Sequence, residues 1–505
     1  MKLVRTTYSN ATLINAMIAE NYFTIEYRKG KYLLLLHHFI IVAFLVCALF
    51  YSFKPASAGK LIYLLSTMIV AIFIWCFWSW YKTTHSILDP YTLFLASAFL
   101  FLGSPALLHI FGYGFEDLLG VNFPADLLAT SLYYTAISIA TFHYGSLLAV
   151  NIGKQKRLPE SKMRSDELAE RSIRTIGSVL LAISLPAYIY LLREQLLVVG
   201  ESAYQGLFQR EAATGFGAWP SVISGFLIPG TFFILIGGRN KRATKITAAV
   251  IMSFYCILNL YIGSRNRAIL PLVVFFWLWS KYVARFKKIA IIVIVIALIV
   301  VTFFIFPLVK SYRAIAGKER ANLDIYLESW RSVKNPWLEP FREMGGSFRT
   351  VPYAISLIPS DRAYDYGASY LYSALTILPN FFWEVHPTIM RGTLADWLVD
   401  KVNPYIAARG GGYGFSFVAE SYANFGWYGL LVMLILGLFL GYFTLRVTDV
   451  DNPFILIFVA CFMPQAMFFV RGESALLVRS IAWYALLPTA VAFMLYKLMK
   501  KYRHS

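Results

Sequence analysis

The feature that most constrains this chain is a succession of about a dozen apolar stretches, interrupted once by roughly a hundred polar residues between Val309 and Phe417. About 20 apolar residues carry an α-helix across the ~30 Å hydrocarbon layer of a bilayer, where every backbone amide must bond within its own helix. Candidate spans run over 33–53, 61–81, 91–111, 127–150, 175–192, 219–236, 246–262, 268–283, 289–309, 417–445, 453–470 and 476–496. Composition agrees: 58% of the 505 residues are hydrophobic, 14% are charged and mean hydropathy is +0.61, which excludes a soluble fold. The expected fold is all-α and polytopic, with about 12 transmembrane helices. Residues 1–32 precede the bundle, 33–309 form helices 1–9, 310–416 a large helical loop, 417–497 helices 10–12, and 498–505 a tail.

The net charge of +19 reads as topology, not as nucleic-acid binding. With the N-terminus inside, the cytoplasmic segments hold 26 Lys and Arg against 8 in the short outer loops. Both termini are therefore expected in the cytoplasm and the 310–416 loop outside. The first 32 residues are polar and lack the apolar core of a cleavable signal. Cys47, Cys76, Cys256 and Cys461 fall inside spans and read as small buried residues.

Charge placed against this apolar background is where chemistry is expected. Gly263-Ser-Arg-Asn-Arg267 joins two spans on the outer side. Arginine carries a fixed cation on a planar fork that fits phosphate oxygens, so Arg265 and Arg267 are candidate diphosphate ligands or simply anchors of the hairpin. Arg313 and Arg409 are among the arginines of the insert. In the insert arginine outnumbers lysine, and Tyr353, Tyr364, Tyr366, Tyr370, Tyr372, Trp383 and Tyr413 are interspersed. Aromatic faces and hydroxyls suit sugar rings, although an interfacial aromatic belt has the same composition. Short amphipathic helices are expected at 322–333 and 394–402, with 370–383 lying on or dipping into the membrane. Prolines at 336, 340, 352, 359, 379, 387 and 404 exclude one long helix.

Glu420 lies about one turn into the tenth span, where an ionised group must be paired or face a cavity. It is either a general base toward a hydroxyl or the counter-ion of an arginine. His386, the one histidine of the insert, is the rival base. Asp449-Val-Asp451 resembles a metal-holding pair of glycosyltransferases but lies in an inner loop. Glu116 and Asp117 are outward, yet the first outer loop, 54–60, has no carboxylate, unlike the usual multi-span lipid-phosphate-sugar enzymes.

Four blocks in order, Gly263-Ser-Arg-Asn-Arg-Ala-Ile-Leu, Arg342-Glu-Met-Gly345 with Thr350, Tyr366-Gly-Ala-Ser-Tyr-Leu-Tyr-Ser-Ala-Leu-Thr-Ile-Leu-Pro379, and Gly412-Tyr-Gly-Phe-Ser-Phe-Val-Ala-Glu-Ser-Tyr-Ala-Asn-Phe-Gly-Trp-Tyr-Gly429, resemble the Wzy-type O-antigen and oligosaccharide repeat-unit polymerases. The resemblance covers the C-terminal half; the front half matches as hydropathy. It implies glycosyl transfer at the outer face of the bacterial inner membrane without metal or cofactor, from an undecaprenyl-diphosphate-linked glycan onto a lipid-linked repeat unit. Membrane lipid and a chain-length regulator are the other expected partners. In that role Arg265, Arg267, Arg210 and Arg313 would hold diphosphate, with Arg409 beside the reacting centre. Glu420 or His386 would take the proton, and Tyr413, Tyr370 and Arg342 would meet sugar. The rivals are a lipid-linked oligosaccharide flippase or transporter and an O-antigen ligase-type transferase.

Overall fold

The computed structural model describes residues 32–41, 43, 58–152, 166–209, 219–284, 338–378, 383–449 and 452–503, with isolated positions between 300 and 335. Every regular element among these is helical. The helices that matter below are α1 (Tyr32–Ile41), α2 (Ala58–Thr84), α3 (Pro90–Ile110), α4 (Ala125–Ile152), α5 (Glu167–Ser202), α6 (Trp219–Gly237), α7 (Arg242–Ile262) and α8 (Arg265–Leu278). The insert contributes α9 (Glu339–Gly345), α10 (Thr350–Leu357), α11 (Ala368–Leu375), α12 (Pro387–Arg391), α13 (Leu394–Val402) and α14 (Pro404–Ala408). The chain closes with α15 (Phe417–Phe425), α16 (Leu430–Asp449), α17 (Pro453–Phe469) and α18 (Ser474–Arg503).

Among the described residues eight helices are long and apolar enough to cross a membrane, and α8 and α17 are shorter helices at two more expected spans. The first expected span is described only as α1, and most of the ninth, 289–309, lies outside the described residues, as do most of 322–333 and Asp451. Two expectations change in detail. The tenth span is not one straight helix: a 3-10 turn at Gly426–Gly429 separates α15 from α16, with Gly426 at φ +58°. The fifth span begins earlier than 175, at Glu167, because Asp166 caps α5 by accepting from the amides of Leu168 and Ala169.

Local signals explain where spans begin. Asp89 and Thr92 form a reciprocal capping box at α3, with Pro90 in the first helical position; at α17 Asn452 accepts from the Phe454 amide, with Pro453 again first in the helix. Small residues set how closely helices approach. Gly437 and Gly441 of α16 face Phe142, Ser146 and Ala149 of α4, and Ser146 donates its hydroxyl to the Gly437 carbonyl at 2.9 Å. The insert is not a loose cover. Its α9 and α10 wedge against α3, α4 and α15, and Phe348, Phe415 and Phe417 are fully buried there.

Candidate active site

At the end of α7, Gly263 takes φ +106°, a left-handed conformation that glycine adopts without strain. A side chain there would press on the Tyr204 ring and the Arg313 stem. Its carbonyl is thereby turned to Arg313, accepting from Nε at 2.8 Å and Nη2 at 2.6 Å, while that guanidinium lies 4.5 Å over the Tyr204 ring. Two residues on, Arg265 is buried and grips Glu343 of α9 with both terminal nitrogens: Nη1 donates to Oε2 at 2.7 Å and Nη2 contacts Oε1. Arg313 Nη1 is 3.6 Å from the same Oε1.

A third guanidinium arrives from the turn between α17 and α18. Arg471 lies 5.3 Å over the Phe101 ring, and its buried Nε has no hydrogen-bond partner among the described residues. Phe101 is one turn before Ser104, which donates to the Phe341 carbonyl of α9, so Arg471 and Glu343 flank one patch of α3. Arg313 and Arg471 both act on Arg265 as like charges. Burial, and then Arg313, bring Arg471 down to about 10, and burial lowers Arg313 too. Among the described residues, with Glu343, and Glu339 acting on Arg265, the balance is three cations against two anions. An excess positive charge in a partly dry pocket favours an anion.

Glu420 sits nearby, inside the bundle. Ser416 caps α15 by accepting from the Ala419 amide, and its hydroxyl meets that of Thr350 at 2.9 Å. Glu420 is fully buried and held by donors from two sides. Oε1 accepts from Ser369 Oγ of α11 at 2.8 Å and Ser474 Oγ at 2.7 Å; Oε2 accepts the Ser474 amide at 2.8 Å. Asn424 donates to Ser369 Oγ at 2.7 Å, which turns the serine proton toward the carboxylate. Among the described residues the partners of Glu420 are two hydroxyls and an amide, not an arginine, so of the two roles open to it in the sequence no counter-ion pairing is formed there. The Tyr370 hydroxyl, also buried, has no hydrogen-bond partner among the described residues, and Glu420 is its electrostatic neighbour.

One four-residue turn joins these features. Arg471 enters the cation cluster, Glu473 accepts the Ala395 amide in the first turn of α13 at 2.8 Å, and Ser474 holds Glu420. Burial pushes the Glu473 carboxyl above the ordinary carboxylate range.

Apart from Tyr370 beside Glu420 and Arg342 beside Glu343, the other expected site residues that the structure describes lie elsewhere. Arg267 is exposed, with Tyr188 and Tyr255 as electrostatic neighbours; two residues apart on a helix is a rotation of about 200°, so it cannot share one grip with Arg265. Arg210 lies outside the described residues. His386 caps α12: its Nδ1 takes the Thr388 amide at 3.2 Å and meets the Thr388 hydroxyl at 2.6 Å, and Nε2 is 3.3 Å from the Leu378 carbonyl. Arg409 is exposed over the Tyr405 ring, and Arg342 is exposed next to the buried Arg265–Glu343 pair. Tyr413 stacks on Tyr353 with ring centroids 6.2 Å apart and planes at 15°, under the Arg349 guanidinium and with its hydroxyl accepting from Asn403 at 3.2 Å. Tyr370 stacks on Phe425.

Sequence reasoning did not single out Glu343, Ser369, Arg471, Glu473 or Ser474. Arg471-Gly-Glu-Ser474 carried a signal, since a charged tetrapeptide between two apolar helices falls on the same expected side as Gly263-Ser-Arg. The geometry also pairs the four blocks: Arg265 with Glu343, Thr350 with Ser416, and Ser369 with Glu420.

Comparisons with curated proteins and with solved structures return no match. The family model described as O-antigen polysaccharide polymerase Wzy matches residues 35–503, extending the likeness from the C-terminal half to nearly the whole chain. The chain therefore belongs to the Wzy family of O-antigen polysaccharide polymerases, multi-pass membrane glycosyltransferases that act on lipid-linked oligosaccharide repeat units.

Proposed function

We propose that this protein joins undecaprenyl-diphosphate-linked repeat units at the outer face of the bacterial inner membrane, with both termini in the cytoplasm. The observation that carries the reading is the joining of an under-neutralised guanidinium cluster to a buried carboxylate through the turn 471–474. Arg265 and Arg313 face the diphosphate of the donor. The oxygen of an acceptor sugar hydroxyl bonds to the donor's anomeric carbon as its proton passes to Glu420. The anomeric C–O bond breaks, and its electron pair leaves on undecaprenyl diphosphate. Preorganised cations stabilise that growing negative charge and supply the electrostatic part of catalysis, independently of a metal ion.

Glu420 is the base favoured over His386, whose two ring nitrogens are both engaged locally. In the structure Ser369 and Ser474 occupy the carboxylate, so the acceptor hydroxyl takes the place of one serine hydroxyl as donor, with a shift of α11. Tyr370 and the Tyr353–Tyr413 stack offer aromatic surface and hydroxyls for sugar rings. Purified protein in liposomes, given one lipid-linked repeat unit, is expected to produce a ladder of products. A requirement for a second, different acceptor would make it a ligase, and translocation without bond formation would make it a flippase.

A further inference from the structure

Within the cluster, two of the three guanidiniums already have anionic or carbonyl acceptors. Arg265 holds Glu343, and Arg313 holds the Gly263 carbonyl. Arg471 has neither an ion pair nor a hydrogen bond from its buried Nε among the described residues, and its contact is the face of Phe101. Arg471 as a whole is half-buried, and a buried N–H without an acceptor is costly, so such a group persists in native proteins where function uses it.

We propose that Arg471 is the cation that meets the diphosphate leaving group directly, and that the turn it opens passes this contact to Glu420. The inference deepens the polymerase reading and rests on it. Three peptide units separate Arg471 from Ser474, so their Cα atoms are no more than about 11 Å apart. Ser474 supplies two of the three hydrogen bonds to the Glu420 carboxylate. On its other side the turn is fixed to the segment leading into α15, because the Arg471 carbonyl accepts the Phe415 amide at 3.3 Å. A shift of Arg471 toward an anion therefore moves the groups that orient the base. Arg471 donates hydrogen bonds and keeps its own protons throughout, while the acceptor's proton goes to Glu420 and the electron pair of the broken C–O bond to diphosphate.

The test uses full-length protein in liposomes, with a lipid-linked repeat unit as substrate and inorganic diphosphate as competing anion. Arg471→Ala is expected to slow chain extension on the order of 100-fold, the loss typical of one transition-state donor, and to weaken inhibition by diphosphate. Arg471→Lys, which keeps the charge and loses the fork, should recover only part of both. Ser474→Ala should lower kcat while leaving diphosphate inhibition unchanged, the pattern of a positioning residue. Wild-type extension and inhibition in Arg471→Ala, beside an inert Arg265→Ala, would overturn the assignment. If Arg471→Ala does not assemble, Arg471→Lys decides, and wild-type values in both readouts overturn it. A wild-type protein that makes no ladder sinks the polymerase reading itself, a separate result.

Discussion

At the scale of the residue, Glu420 shows how a carboxylate can be kept inside a lipid-embedded bundle. Two serine hydroxyls and one amide take the place of water around it, and Asn424 fixes the direction of one of those hydroxyls. Its isostere separates structure from chemistry. Glu420→Gln keeps the shape, removes the basic oxygen and should cut chain extension by about 100- to 10,000-fold with normal protein in the membrane. Wild-type polymer from that variant would reduce Glu420 to a strut between α11 and α18. Glu343 poses the opposite case. Its carboxylate neutralises part of the cluster, so Glu343→Gln should leave more positive charge at Arg265 and Arg313 and tighten inhibition by inorganic diphosphate, and weaker inhibition would count against an anion site there.

At the scale of the element, the packing of α4 on α16 fixes the frame behind Glu420. Side chains at Gly437 or Gly145 would overlap backbone atoms of the facing helix, Phe142 and Leu434 respectively, leaving no flexible group to give way. Gly437→Ala should therefore force the helices apart at a cost of at least about 1–3 kcal/mol, read as loss of monodisperse protein after detergent extraction. Unchanged yield and melting temperature would show that this contact is looser than the structure has it. The same scale explains the cluster. α8 presents Arg265 inward and Arg267 outward for no reason other than helical periodicity, and the partner of Arg265 comes from α9 of the insert.

At the scale of the whole molecule, the prediction is topological. A membrane-impermeant thiol reagent should label Tyr366→Cys, a position 77% exposed in the insert, in intact cells with a permeable outer membrane. Lys500→Cys, near the other end of α18, should react only after the inner membrane is opened. The reverse pattern would place the cluster in the cytoplasm and remove it from the proposed reaction.

Much of this arrangement was legible along the chain. Ten of the expected spans coincide with the eight long helices plus α8 and α17, and the expected helix at 394–402 is α13. Span positions follow from hydropathy, a local sum that a window of residues contains entirely. Arg265 and Glu420 stood out because charge beside apolar sequence is costly wherever it ends up. The partners were not legible. Glu343 is 78 residues from Arg265, Ser369 is 51 from Glu420, and Ser474 is 54 from it on the other side. No local pattern marks such pairs, since serines and glutamates are ordinary residues until packing removes their water. The chain alone therefore determined that this is a helical membrane protein with arginine and acid set against apolar helices. Only the tertiary structure decided which arginines come together, because such a cluster is made by elements far apart in sequence whose burial and charge act through space.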